Sequence, residues 1–314
     1  MPEFLTDFFV QLPQQIINGL TLGSVYALIA LGYSMVYGIL QLLNFAHGDV
    51  YMIGAFIGFG VLTALLPLVE AGTMFPAIVI ILMILIAMLG CGLLGVGIEW
   101  FAYRPLRNSP RIVPLISALG TSILLQNAVQ LTLTAQFRVY KTEALIPIKA
   151  GIDIGPAYLS AVRALVIVAA ILLMIALTYL VRRTKLGRAM RAVAIDREAA
   201  ATMGVNVDRI IVITFFIGSA LAGGAGVLTG LVFPRIFHTM GFNAGLKGFT
   251  AAVVGGIGNI PGAMLGGLLL GLVEAFTTGF ISPTFKEAIT FVVLIIFLLA
   301  RPRGILGSTA IQKV

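Results

Sequence analysis

Apolar runs of about 20 residues, the length that crosses a bilayer's hydrocarbon as a helix, follow one another along almost the whole chain. They lie near 16–39, 44–66, 76–101, 112–135, 162–181, 210–232 and 262–281, with a slightly short one at 285–300. In lipid each backbone N–H and C=O must find its partner inside the chain, which leaves helices as the element for runs of this kind. The expected fold is therefore all-α, a polytopic transmembrane helix bundle that forms one domain over residues 1–314.

Composition closes the soluble alternatives. Sixty per cent of the residues are hydrophobic and 10% charged, against about a quarter charged in soluble domains. The net charge of +8 comes from residues confined to short links between apolar runs, which is what membrane orientation requires, so no nucleic-acid partner is expected. Cys91 stands alone, which excludes disulfides and cysteine-rich metal sites within one chain. No Lys or Arg precedes the first apolar run, so the start lacks the basic region of a secretory signal and the first helix is expected to stay as a span.

The basic residues also set a parity. Arg104, Arg107 and Arg111 mark one link as cytoplasmic, the 182–209 loop marks a second, and Arg301 with Arg303 mark the carboxyl end. Links 67–75 and 136–160 are poorer in positive charge, and the acidic start, with Glu3 and Asp7, falls outside. If the loop and the carboxyl end share a side, an even number of crossings separates them, yet only three long runs do. The short run between 246 and 258, containing GFTAAVVGGIG, must then cross as a broken helix, giving nine segments. Eight spans, with one basic link on the other side, is the alternative.

Three places depart from plain apolar helix. Backbone that is not helical at membrane depth survives only against protein or a water-filled cavity, and Gly/Pro-broken segments point to the path in transporters. This makes Gly255, Gly256, Gly258, Asn259 and Pro261 a candidate lining for a substrate pathway. A tight turn between packed helices accounts for the same residues. The second place is Asn44-Phe45-Ala46-His47-Gly48-Asp49, where Asn44, His47 and Asp49 interrupt an apolar stretch. A carboxylate at that depth is costly and so a functional candidate, while Asp49 capping the next helix is the plainer reading. No metal-ligand spacing exists in the chain. Small residues at four-residue spacing, Gly19/Gly23, Gly54/Gly58 and Gly218/Ala222/Gly226/Gly230, read as close helix packing.

The third place is the loop at 182–209. Its stretch from Gly187 to Met203 is rich in good helix formers and predicts a short helix, with Gly204 in the left-handed conformation as its stop and Asn206 or Asp208 capping the next span. Ala199, Ala200 and Ala201 offer a smooth small-residue face, and Glu198 with Arg197 a polar grip, suited to a groove on another protein. An ordinary charged link accounts for the arginines equally well.

The pattern Glu198-Ala199-Ala200-x-x-x-Gly204 resembles the coupling loop of ABC importer permeases. The stretches 18–28 (NGLTLGSVYAL), 44–49 (NFAHGD) and 255–263 (GGIGNIPGA) resemble the branched-chain amino-acid permeases, over nearly the whole chain and closer to the shorter, LivH type. That resemblance implies an ATP-driven importer for hydrophobic amino acids in the bacterial cytoplasmic membrane. Its other members would be a second permease of LivM type, two ATPase subunits docking at Glu198, Ala199, Ala200 and Gly204, and an extracytoplasmic amino-acid-binding protein. ATP and Mg would sit on the ATPase subunits. This chain has no G-x-x-x-x-G-K-[ST] loop and is expected to carry no cofactor and to be no enzyme. An ion-coupled secondary transporter using Asp49 or Glu274, or a permease of the same family for urea, short amides or other amino acids, are the rival readings.

Overall fold

The computed structural model describes residues 2–307 apart from residues 108, 111 and 134, with the backbone alone given for residues 2–7. Arg111 and the side chains of Glu3 and Asp7, which serve as orientation marks in the sequence, lie outside the described residues. The helices are α1 (Pro2–Leu40), α2 (His47–Glu70), α3 (Pro76–Ile98), α4 (Ile112–Thr132), α5 (Ala161–Arg183), α6 (Lys185–Ile195), α7 (Arg197–Thr202), α8 (Val207–Val232), α9 (Met240–Gly255), α10 (Ile260–Phe276) and α11 (Lys286–Ala300). Eight of them, with short wider or tighter turns continuing α3 and α10 and preceding α11, are long and apolar enough to cross a membrane. α6 and α7 belong to the charged loop, and α9 is the short segment.

α9 starts six residues before the expected 246 and stops at Gly255, so its 16 residues span about 24 Å. Gly256, at φ 108°, and Gly258, at φ 87°, then turn the chain into α10 through a conformation open chiefly to glycine. The two ends of the bundle can be told apart by contacts. At the loop end, Arg197 reaches the Ile39 carbonyl, Gly38 lies by Gly258, and the amides of Ile305 and Leu306 bond the carbonyls of Val254 and Gly255. At the other end, the Gln14 side chain accepts the Tyr158 amide and Arg163 holds Asn18. The charged loop and the segment after α11 thus share one end, with α8, α9, α10 and α11 between them. α9 therefore carries the chain from the hairpin end back to the loop end, although it is not among the eight helices long and apolar enough to span.

The expectation of helices alone needs a small correction. A hairpin pairs β2 (Gly151–Ile154) with β3 (Ala157–Ser160), and β1 (Arg138–Val139) pairs with β4 (Arg235–Ile236). Gly155, at φ 61°, makes the hairpin turn, and the alternation around Gly155-Pro156 is the signal that hydropathy runs overlook. With Tyr158 of β3 bonded to Gln14, the hairpin marks the end of the bundle opposite the charged loop, the hairpin end.

α1 and α8 form the centre, with 72% and 78% of an 18-residue apolar stretch of each buried, whereas the share is 22% in α4 and 6% over Pro283–Ala300, where apolar side chains such as Leu131 and Leu299 face outward. Lipid gives no hydrophobic drive for helix to meet helix, so close backbone approach must supply the packing. A Cβ at Gly23 would come within 2.8 Å of the Leu268 Cα and one at Gly19 within 2.8 Å of the Leu272 Cα, which is why α1 and α10 lie so near.

Candidate functional site

The charged loop is held rigid by side-chain caps. Thr184 Oγ1 accepts the Gly187 amide at 3.1 Å and starts α6, and Asp196 Oδ1 accepts the amides of Glu198 and Ala199 at 2.9 and 3.0 Å and starts α7. The single helix expected over 187–203 is therefore two, because the Asp196 carboxylate takes amides that a continuous helix would use. Gly204, at φ 85°, ends α7 as expected, its amide bonding the Ala201 carbonyl while Val205 bonds that of Ala200. Asn206 Oδ1 then accepts the Arg209 amide at 2.9 Å and caps α8.

Glu198, Ala199 and Gly204 face outward, but Ala200 is turned into the bundle at 4% exposure and seats α7 instead. Ile195 and Met203, 87% and 84% exposed, flank α7 with apolar surface. Inward, the loop is tied twice. Arg197 donates to the Ile39 carbonyl at 2.7 Å, fastening α7 to the end of α1. Burial, and then the Arg107 cation, hold its guanidinium below the ordinary value. Arg107 bonds both Asp208, at the start of α8, and the buried Glu99 after α3, to which Arg104 adds a contact at 3.1 Å. α7 is thereby joined to the end of α1, and the start of α8 to the segment after α3.

Around residues 44–49 the sequence places polar groups and the structure buries all of them. Asn44 Oδ1 accepts the Tyr103 hydroxyl at 3.1 Å, and Asp49 Oδ1 accepts Gln126 Nε2 at 3.0 Å. The capping reading of Asp49 does not hold: α2 begins at His47, Ala46 sits at the cap, and no side chain caps it. Asp49 lies in the first turn, where its charge still suits the helix dipole. The His47 ring stands edge-on to Tyr33, centroids 4.8 Å apart.

Residues 255–262 form a turn at the loop end. Asn259 Oδ1 accepts the Gly262 amide at 3.2 Å and caps α10, Pro261 falls in that helix's first turn, and Asn259 Nδ2 donates to the Leu306 carbonyl. Gly255 is pressed against Gly262, and Gly256 against Gly307. The structure does not bring the two candidate pathway sets together. Gly241, near the start of α9, touches Gly48 and Asp49, while Gly255 ends that helix; the 14 residues between them rise about 21 Å. Gly48 and Asp49 thus lie by the start of α9 and Gly255 at its end.

The residue that sequence reasoning missed is Lys247, in the middle of α9. Its Nζ lies 2.9 Å from Glu274 Oε1 and 2.9 Å from Glu287 Oε1, and the Tyr26 hydroxyl donates to Glu274 Oε2 at 2.8 Å. The side chains of Lys247 and Glu274 are 7% and 5% exposed, that of Glu287 46%. Glu274 is conspicuous in the sequence as a carboxylate on an apolar helix. A lysine in a segment with no other charged residue was the matching signal.

Against known proteins, the family described as "Branched-chain amino acid transport system / permease component" matches residues 15–298. The chain is 44% identical to the high-affinity branched-chain amino acid transport system permease protein LivH of Escherichia coli K12, over 99% of this chain and 100% of that protein. It is 45% identical to the corresponding permease protein BraD of Pseudomonas aeruginosa, over 96% and 97%. A probable branched-chain amino acid transport permease of Methanocaldococcus jannaschii is 26% identical over 90% and 89%. No solved structure matches. With the family covering this much of its length, and near-complete coverage by relatives above 40% identity, the chain belongs to the branched-chain amino acid transport permeases.

Proposed function

We propose that this chain is a membrane-spanning subunit of an ATP-driven importer that carries branched-chain amino acids across the bacterial cytoplasmic membrane. The observation that carries the coupling part is α7: a short helix capped at both ends, with an outward face of Glu198, Ala199 and Gly204 beside Ile195 and Met203, and an inward bond from Arg197 to α1. An ATPase subunit seated on that face would move α1, α3 and α8 as it closes. Ala200 contributes by seating α7. The loop end would be cytoplasmic, since Arg182, Arg183, Lys185, Arg188 and Arg191 crowd there, and the carboxyl end would share that side.

The remaining members would be two ATPase subunits holding ATP and Mg, a second permease of LivM type, and an extracytoplasmic binding protein that selects the amino acid. Branched-chain substrates are supported by the names of the relatives at 44% and 45% identity. α9, with Asp49 near its start, Gly255 at its end and Gly256, Gly258, Asn259 and Pro261 beyond, would be a wall of the pathway, to which Asn44 and His47 would also belong. The secondary-transporter reading loses ground at Glu274, a carboxylate already bonded to Lys247 and Tyr26.

The test is Gly204→Asp and Glu198→Lys in the reconstituted complex. A Cβ at Gly204 meets nothing within 4 Å, and Asp tolerates the left-handed conformation, so both variants are expected to insert and fold but lose ATP-driven uptake of labelled leucine. Uptake that survives both changes would remove α7 as the dock.

A further inference from the structure

Three neighbouring cavities lead from the hairpin end toward Lys247. The first, about 730 Å³, lies among the 139–150 segment, the hairpin and the start of α5, with Asn18 and Arg163 in its wall. The second, about 190 Å³, shares Asn18, Arg163 and Val232 with it. The third, about 200 Å³, shares Leu22 and Phe233 with the second and is bordered by Tyr26, Lys247 and Glu287.

The third cavity has an unusual wall for a membrane bundle. Leu22, Val25, Phe233 and Ala244 make one part apolar, while Lys247, Lys286 and Glu287 put charges of both signs on another. A wall of one sign would hold an ion. A wall with both signs beside apolar surface matches a molecule that carries an ammonium and a carboxylate on one carbon and a hydrocarbon elsewhere. We propose that this cavity is a binding station for a free zwitterionic amino acid with an apolar side chain, its carboxylate on Lys247 and its ammonium on Glu287. This rests on the reading of the chain as an amino-acid permease subunit.

The geometry explains how the station can be both occupied and left. Lys247 is anchored by Glu274, buried on the far side, and that bond stays. Its second partner, Glu287, is half-exposed. An entering carboxylate replaces Glu287 on the lysine, and the freed Glu287 takes the entering ammonium. One ion pair becomes two, with no change in net charge, because the cargo is neutral overall. No charge is stranded in a low-dielectric place, which is the condition for charged groups to exchange there. Leu22 and Phe233, common to the second and third cavities, form the apolar partition between the waiting space and the station. Arg163, which uses one of its five N–H donors on Asn18 at 2.6 Å, offers an earlier hold for the carboxylate.

The experiment uses the complete importer in proteoliposomes with its binding protein, and reads labelled leucine moved per ATP hydrolysed. A purely structural pair would lower both quantities together and leave the ratio in place. Glu287→Gln, at a half-exposed position, is expected to lower the ratio at least fivefold. The double variant Lys247→Met/Glu274→Gln, which removes both buried charges at once, is expected to lower it at least tenfold, and Lys247→Arg to recover most of it. A ratio within twofold of the unaltered complex in Glu287→Gln overturns the station, whether or not the double variant assembles. If the unaltered complex itself moves no leucine, it is the permease reading that fails.

Discussion

Arg107 and Lys247 each hold two carboxylates, one buried and one exposed, at opposite levels of the bundle. Arg107 holds Glu99, with no exposed side-chain surface, and Asp208, 70% exposed. Lys247 holds Glu274 and Glu287, 5% and 46% exposed. The difference lies in what else supports the buried partner. Glu99 has a second cation in Arg104, itself 41% exposed, whereas Glu274 is supported on its other oxygen by the neutral Tyr26 hydroxyl. Arg brings a planar fork that bonds two carboxylates at once, suited to a joint that must transmit movement; Lys brings a compact charge whose partner can be exchanged. The loop end thus holds its buried carboxylate with two cations, and the α9 cluster is a buried Lys247–Glu274 pair with one half-exposed neighbour.

The widest gap between the two should appear when a cation is removed. Lys247→Met strands Glu274 inside the bundle, a change expected to cost about 3–5 kcal/mol. Thermal unfolding of the detergent-solubilised chain should show a large drop, mostly recovered when Glu274→Gln is added. No recovery would mean that the two residues are not an isolated pair. Arg107→Ala leaves Glu99 with Arg104, so its loss is expected to be smaller, about 1–2 kcal/mol, while uptake falls because α8 and α3 lose their tie. Equal losses for Lys247→Met and Arg107→Ala would erase the contrast between the clusters. Asp208→Ala touches an exposed partner and is expected to cost less than about 1 kcal/mol. Raising the salt concentration should shrink the Asp208 effect and leave the Lys247 effect in place, since buried pairs are screened little.

Much of this molecule is written in local pattern. The runs at 76–101, 112–135 and 162–181 became α3, α4 and α5 with ends shifted by a few residues, because twenty apolar residues in lipid have one way to satisfy their backbone. That α9 carries the chain from the hairpin end to the loop end was legible from charge parity, although its length alone argues against a full span. Gly204 and Asn206 were legible as helix stop and start because each acts through its own backbone neighbours. What escaped was set by distant contact. Lys247 meets Glu274 across 27 residues, and neither periodicity nor spacing reports such a meeting. Asp49 was read as a cap because cap chemistry is local, but its partner Gln126 is 77 residues away. Ala200 looked like its neighbours Ala199 and Ala201, and only packing turns it inward.

The central claim is that α7 is where an ATPase subunit bears on this chain. Cys91 is the sole cysteine and is buried, so Met203→Cys, at a position 84% exposed, gives one accessible thiol beside α7. Its rate of labelling by a soluble maleimide should fall at least tenfold when the ATPase subunits are assembled onto the permeases, while a thiol introduced at Ile148, 69% exposed beyond α4, keeps its rate. An unchanged rate at Met203→Cys in the fully assembled, ATP-hydrolysing complex would contradict the account.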